Sequence, residues 1–351
     1  MCITFEHDEL KPGVSGLLRV KNDAPFVRSC ILSCIDALDE LIVVYNDCTD
    51  NSAEEIEKMR LLYPSKIKVY PYPHYIMYFV DADGDGTPSA LNGIDSIHLL
   101  SNYYNFALSK VSYQCAVKID ADQFYFTEEL CKLTSLSRQT KNRYIPGYVL
   151  GGFILKYRVN EKVWLPHSFF WWAYTSYAKY QFLSNHECLS MSGINVFTDE
   201  GKHFVPLGSI NSKNAFFYPY NGVGDHLLFW VDKKQSYYKP FPVSIDSGRR
   251  YWVIELFNTD KSMYPVGLYW VHRSMMRKYM FDRVKEVMKS MPELFMNLKD
   301  FLATSRYDNV KHLLHKPFGN PLYYESKSVR YSHVYTLKKV RAHICRIVND
   351  I

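Results

Sequence analysis

Three short apolar runs, Gly16–Lys21, Leu41–Tyr45 and Ile67–Tyr70, alternate with two segments whose apolar residues recur at helical spacing. In the first of these, Ala24–Leu38, the stripe is Phe26, Val27, Cys30, Ile31, Cys34, Ile35 and Leu38. Pro25 sits near its start, where proline is tolerated. The second starts at Ser52, which with Glu55 forms a capping-box pattern, and runs through Leu62. Strands joined by helical crossovers pair in parallel, since a parallel neighbour needs a dozen or more residues to return. This order predicts an α/β fold: a Rossmann-like open, twisted, mostly parallel sheet with helices on both faces. Ligands of such sheets bind beyond the carboxyl ends of the strands.

The turn Asn46–Ser52 follows the second run and meets that edge. A later run, Cys115–Ile119, ends in Asp120-Ala121-Asp122. Two acids one residue apart at a strand end are hard oxygen ligands, suited to Mg²⁺ or Mn²⁺ shared with phosphates. The same tripeptide occurs upstream, where Ile76–Val80 leads into Asp81-Ala82-Asp83. Position separates the two copies. Asp120 and Asp122 come after a helical segment (Ile94–Lys110) and a strand. The upstream copy lies in a stretch, Pro71–Asn92, broken by Pro71, Pro73, Gly84, Gly86 and Pro88. Asp81, Asp83 and Asp85 with Gly86 resemble half of a calcium loop, but Asn92 stands where a bidentate Glu is needed. This segment reads as a solvated loop.

The chain has 351 residues and a formal net charge of +6, which is mild and lacks the aromatic-interleaved basic stretch of an RNA-binding module. Its eight cysteines form no Cys-x-x-Cys pair and no zinc-spaced cluster, and read as buried or inert thiols of a reducing compartment. No apolar run approaches the roughly 18 residues of a membrane span. The expected location is cytoplasmic, at most against the inner face of the plasma membrane.

Three consecutive regions are expected. Residues 1–130 form a first, α/β half, 131–276 a second half of short strands and loops, and 277–351 a helical extension. The last segment carries Lys338, Lys339, Arg341 and Arg346 among Val340, Ile344, Ile347 and Val348. That amphipathic pattern suits an anionic membrane surface or a helix packed on the protein.

Three segments resemble the nucleotide-binding half of a GT-A fold glycosyltransferase, close to the family 2 type. They are Arg19-Val20-Lys21-Asn22-Asp23-Ala24, Leu41–Ser52 and Ile119-Asp120-Ala121-Asp122, with Asn102–Ala107 in the preceding helix. The resemblance implies an enzyme, a hexosyltransferase, with a nucleotide-sugar donor gripped by Arg19, Lys21, Asn46, Asp47, Asp50, Asn102 and Asp120. The chain departs from the family after the second strand, where Tyr45 and Asn46 replace an acid pair. Asn46, Asp47 and Asp50 therefore all remain candidates, and helix capping suits Asp50 and Ser52 equally well. The resemblance further implies Mn²⁺ or Mg²⁺ on Asp122, with Asp120 beside it and a late ligand at His272. Arg273 and Arg277 could add charge on the phosphates.

The base that deprotonates an acceptor hydroxyl is expected at Asp225, in Gly222-Val223-Gly224-Asp225-His226, at a helix start. Glu187 is held in reserve and Asp246 is weaker. Trp171, Trp172, Tyr174 and Trp230 suit either an acceptor platform or a core. The function expected is transfer of a hexose, UDP-galactose being one donor, to a saccharide or lipid-linked saccharide of a bacterial lipopolysaccharide or capsule, with inversion. A sugar-phosphate nucleotidyltransferase is the rival enzyme, but Asn22-Asp23-Ala24-Pro25 stands where its Gly-rich phosphate loop would be. A non-catalytic glycan-binding protein on the same fold is the other alternative.

Overall fold

The computed structural model describes residues 4–81, 96–139, 145–157, 166–207, 219–244, 249–304 and 327–349. The expected calcium-like loop beyond Asp81 and the candidate Asp246 lie outside them.

In chain order the first elements are β1 (Lys11–Val20), α1 (Ala24–Cys34), β2 (Glu40–Tyr45), α2 (Ser52–Leu62), β3 (Ile67–Pro71), β4 (Phe79–Asp81), α3 (Leu100–Ser109) and β5 (Tyr113–Asp120). Then come β6 (Gln123–Tyr125), α4 (Thr127–Thr134), α5 (Ile145–Lys156), α6 (His167–Asn185), β7 (Cys188–Asn195), β8 (Phe197–Asp199) and β9 (Lys202–Pro206). The chain continues through β10 (Tyr220–Asn221), β11 (Leu227–Trp230), β12 (Tyr237–Ser244), β13 (Arg250–Asn258) and β14 (Met263–His272). It ends with α7 (Lys278–Ser290), β15 (Phe295–Asn297), α8 (Leu298–Thr304) and α9 (Lys327–Asn349).

The chain forms two compact units, Met1–Ala121 with Phe229–Lys261, and Asp122–Leu228 with Ser262–Ile351. This differs from the three consecutive regions expected. The reason is that β12 and β13 return to the first unit, where β13 pairs antiparallel with β4 and the Asn105 amide bonds the backbone of Tyr238. The C-terminal helix belongs to the second unit.

The first unit carries the expected parallel sheet, in the order β3-β2-β1-β5. Its strands are apolar on both faces: Leu17, Leu18, Ile42, Val43, Val44, Val117 and Ile119 are all buried, as parallel strands covered by helices require. The capping box does not form. The Ser52 hydroxyl accepts the Asp23 N–H instead, and Glu55 pairs with Lys58. Cys30, Cys34, Cys115 and Cys188 are buried free thiols, as expected.

In the second unit β7 lies between β11 and β14, and β6 pairs antiparallel with β14. β10 also pairs with β7. A small sheet β15-β9-β8 stands beside them. Residues 145–156 and 167–185 are helices, not the short strands expected. The glycines that suggested turns serve helix packing: a Cβ on Gly147 would meet Ser176 at 2.4 Å, and one on Gly151 the Ala173 carbonyl at 2.3 Å.

The apolar face of α9 is used internally. Leu337, Val340, Ile344 and Val348 are buried with Leu268, Val271 and Phe301, and the Thr336 hydroxyl accepts the Leu268 N–H at 3.0 Å. Of the two expectations for this segment, a helix packed on the protein is the one its apolar face follows. Among the described residues no helix is long and apolar enough to cross one.

Candidate active site

In the first unit the loops after β1 and β2 are tied to each other. Asn22 and Asp47 both take left-handed backbone, at φ 54 and 40, which short polar side chains tolerate. Asn22 Oδ1 accepts the Thr49 N–H at 2.8 Å. Asp50 accepts the N–H groups of Ala24 and Ser52 at 3.1 and 3.0 Å. Burial alone would raise its pKa, but these bonds outweigh burial and hold it below the usual carboxylate range. Asn46 is buried and donates to the carbonyls of Tyr72 and His74. Asn102 donates to the Ser96 carbonyl and accepts from Asn105. The side chains of Asn46, Asp50 and Asn102 thus organise backbone. Lys21 and Asp47, 3.8 Å apart, project with Asp47 well exposed.

Behind the end of β5 lies a charged cluster that only the fold reveals. Lys118 is 2 % exposed and bonds Glu255, across 137 residues of sequence, at 2.8 Å. The Tyr104 hydroxyl donates to Asp120 at 2.9 Å, and the Arg19 guanidinium lies 5.4 Å from the Tyr104 ring centre. Burial disfavours the Arg19 charge, but Tyr104, Tyr78, Asp120 and Glu255 outweigh it and hold the group protonated. A charged residue inside an apolar strand, as Lys118 is, was the one signal available in the sequence.

In the second unit three sequence-predicted residues meet. Asp122 is 2 % exposed, with Oδ1 3.4 Å from His272 Nε2 and Oδ2 3.3 Å from Arg277 Nη2. The Arg273 N–H donates to the Asp122 carbonyl at 2.9 Å. The register explains the meeting: His272 ends β14 opposite Gln123 of β6 on one side and Asn195 of β7 on the other. Asn195 Oδ1 lies 2.6 Å from His272 Nδ1. A carbonyl oxygen can only accept, so Nδ1 carries a proton and Nε2 faces Asp122. Nε2 then either holds a second proton or offers a lone pair to a cation shared with the carboxylate. Asp122 and His272 fit a divalent ion on that ground, with Asn195 as the outer partner that metal-ligating histidines commonly have.

Arg273 is 4 % exposed, and its Nε and Nη1 have no hydrogen-bond partner. Burial pulls its pKa down. A buried cation with unpartnered nitrogens is costly, so the Arg273 guanidinium, whose charge acts on His203, suits an anion.

Asp225 lies in the Gly222–Asp225 turn, 46 % exposed, and leads into strand β11, which corrects the expected helix start. Gly222 and Gly224 adopt φ of 92 and 80, and Leu227–Trp230 then extends along β7. His226 is buried beside it, with Nδ1 3.2 Å from Asp225 Oδ2. Glu187 stands at the opposite end of the β7–β14 ladder from Asn195 and His272, about 25 Å away at roughly 3.3 Å per residue, and its carboxylate takes the Ser262 N–H. That position withdraws it as the reserve base. Trp171 and Tyr174 pack in a core cluster with Ile154 and Phe170, so they are not a platform, whereas Trp172 is exposed. Trp230 is half-buried.

Residues 8–149 match the model of a glycosyltransferase family, described as β-1,4-N-acetylgalactosaminyltransferase (CgtA). The resemblance carried by Arg19–Ala24, Leu41–Ser52 and Ile119–Asp122 thus falls wholly inside a stretch that a glycosyltransferase family model matches. Among solved structures, glucosyl-3-phosphoglycerate synthase from Mycobacterium tuberculosis with Mn2+, UDP-glucose and phosphoglyceric acid is similar at 19 % identity, over 32 % of this chain and 34 % of that one, with a TM-score of 0.22. The same enzyme with Mn2+, UDP and phosphoglyceric acid is similar at 16 % identity, over 35 % and 41 %, with a TM-score of 0.20. The chain spans well under half the length of these structures. No curated protein matches it.

Proposed function

We propose that this chain is a metal-dependent glycosyltransferase that moves a sugar from a UDP-sugar to a saccharide acceptor of a bacterial surface glycan, with inversion. The observation that carries this reading is Asp122, buried between His272 and Arg277. Asp122 and His272 would hold Mn²⁺ or Mg²⁺, which when bound neutralises charge on a diphosphate leaving group. Arg273 and Arg277 supply further positive charge for the same diphosphate. Asp225 accepts the proton of the acceptor hydroxyl, whose oxygen forms the new bond to the anomeric carbon as the bond to the diphosphate breaks. Lys21 and Asp47 are the exposed side chains at the β1 and β2 ends that suit the nucleoside.

The family match favours an N-acetylhexosamine donor, UDP-N-acetylgalactosamine, over UDP-galactose. A β-linked product from an α-linked UDP-sugar requires inversion, the outcome for which a dedicated base is needed. A thermal-shift series of UDP-sugars with and without Mn²⁺ tests the reading, because a ligand stabilises the fold according to its concentration over its Kd. UDP-N-acetylgalactosamine with Mn²⁺ should give the largest shift. If no UDP-sugar shifts the transition in either condition, the reading is wrong. Asp225→Asn should keep that shift and lose transfer.

A further inference from the structure

We infer that the α5–α6 pair carries the surface by which this protein rests on an anionic phospholipid bilayer. The reason starts in α5, whose side toward α6 is glycine: a Cβ on Gly147 would meet Ser176, and one on Gly151 the Ala173 carbonyl. Leu150, Ile154 and Leu155 pack with Phe170, Trp171 and Tyr174. The remaining bulk of α5 faces out. Val149, Phe153 and Tyr157 recur every four residues, which puts them on one helix face. The Tyr157 N–H still returns to the Phe153 carbonyl at 3.1 Å, so the turn holds past Lys156. α6 adds Phe169 and Trp172, and the five side chains are 40–62 % exposed. The rings of Phe153 and Tyr157 lie 4.9 Å apart, and those of Phe169 and Trp172 6.1 Å. Trp172 Cζ2 is 3.5 Å from where a Gly147 Cβ would stand, so this ring of α6 leans on α5. A helix that is apolar all round is ordinarily buried all round. α5, whose one charged residue is Lys156, is open along one face.

Charge selects the occupant. The chain carries 36 acidic residues, yet α5 and α6 hold none, and their charged residues are Lys156 and Lys179. An ordinary solvent-facing helix of the same protein differs: α2 carries Glu54, Glu55 and Glu57 in 11 residues. Lys156 is exposed at the edge of the apolar stripe, with its Nζ 5.4 Å from the Tyr157 ring centre. Rings and aliphatic side chains with a lysine beside them, and no acid, suit the boundary between acyl chains and anionic headgroups. There the apolar stripe leaves water and the ammonium stays among phosphates. A second copy is the poorer match, because a two-fold contact through this face would set Lys156 and its copy in one interface with no acid from either helix. The inference does not rest on the active-site reading, since binding to a bilayer needs neither donor nor acceptor.

The test is co-sedimentation of the full chain with two kinds of vesicle, phosphatidylcholine mixed with phosphatidylglycerol, and phosphatidylcholine alone. The wild type should bind the mixed vesicles more tightly than the neutral ones, and added salt should weaken that preference. Val149→Ser with Phe153→Ser should lower partitioning into the mixed vesicles about 30-fold, from the apolar surface removed. Lys156→Gln should lower it about five-fold, and only where phosphatidylglycerol is present. Leu61→Ser, on an equally exposed apolar side chain of α2, should leave binding unchanged. The inference is overturned if the wild type does not bind the mixed vesicles, or if the double variant binds as the wild type does. Equal binding to both kinds of vesicle, or an equal loss in Leu61→Ser, overturns it as well. So does a lipid-free dimer that Phe153→Ser dissociates, which would give the face to a second copy. Should the double variant fail to fold, Tyr157→Ser and Lys156→Gln, both changes of exposed side chains, decide it in the same assay: each should weaken binding to the mixed vesicles, and wild-type binding in both overturns the inference.

Discussion

The two acids of Asp120-Ala121-Asp122 are two residues apart and live in opposite electrostatic settings. Asp120 closes a balanced cluster in the first unit, where Arg19 and Lys118 stand against Asp120 and Glu255, with the Tyr104 hydroxyl on Asp120. Around Asp122 in the second unit stand His272 and Arg277, and Arg273, next after His272, has a buried guanidinium whose Nε and Nη1 lack hydrogen-bond partners. A balanced buried cluster is complete within the fold. A buried guanidinium with unpartnered nitrogens has a deficit that a ligand can fill, here an anion. On the proposed reading Asp122 is the acid that meets the metal, while the Asp120 carboxylate accepts the Tyr104 hydroxyl.

The comparison breaks first at Asp122. Asp122→Ala should lower transfer about 1,000-fold or more, since charge neutralisation at a leaving group amounts to several kcal/mol. The variant should also lose the Mn²⁺-dependent thermal shift, and a chelator should reduce the wild type to the same level. Retained Mn²⁺ binding with near-normal turnover would return the metal to Asp120. Next in size is the balanced cluster. Lys118→Met or Glu255→Leu alone should destabilise the protein by about 3–5 kcal/mol, because each leaves an uncompensated buried charge. The double variant should recover to within about 1 kcal/mol of wild type in urea unfolding. Additive losses in the double variant would show that the pair does not act as one unit.

The contrast between the clusters was only half legible in the sequence. The alternation of strand and helix from Gly16 to Tyr70 dictates a parallel sheet, and that puts Asp120 at a carboxyl edge whatever the details. Local signals misled where distant packing decides. Gly147 and Gly151 look like turn residues, yet they let α5 approach α6. Ser52 and Glu55 spell a capping box, but the Asp23 N–H competes for the Ser52 hydroxyl from 29 residues away. Asp225 follows two glycines, which suits a helix start as well as the tight turn into β11 that forms. The residues that tune the site were invisible for the same reason. Asn195 finds His272 through strand register, Gln123 finds His226 across 103 residues, and Lys118 finds Glu255 across 137.

Arg273 sharpens the comparison with a change of sign. Replacing a buried arginine by an apolar side chain of similar length should harm a balanced cluster and spare an unbalanced one. Arg273→Met should therefore unfold at the same urea concentration as wild type or a higher one, in contrast to Lys118→Met. It should also raise donor KM about 10- to 100-fold, the range of a hydrogen bond to a charged group at 1.5–3 kcal/mol. A variant that is destabilised like Lys118→Met, with donor KM unchanged, would make Arg273 structural.

The smallest effect reads the Arg273 charge directly, through His203. Burial lowers the pKa of His203 from its ordinary 6.5, and Arg273 and then Lys299 lower it further. A histidine depressed in this way favours its neutral form in the folded state. Its contribution to stability is present above the unfolded pKa and is lost as pH falls through the folded one. Arg273→Met removes one of the two repelling cations and leaves the burial. The His203 titration, followed by NMR of its imidazole, should then move up toward 6.5 without reaching it, and the acid side of the stability curve should flatten around that pH. An unmoved titration would mean that Arg273 is neutral or already paired in solution, and the case for an anion on its guanidinium would fall.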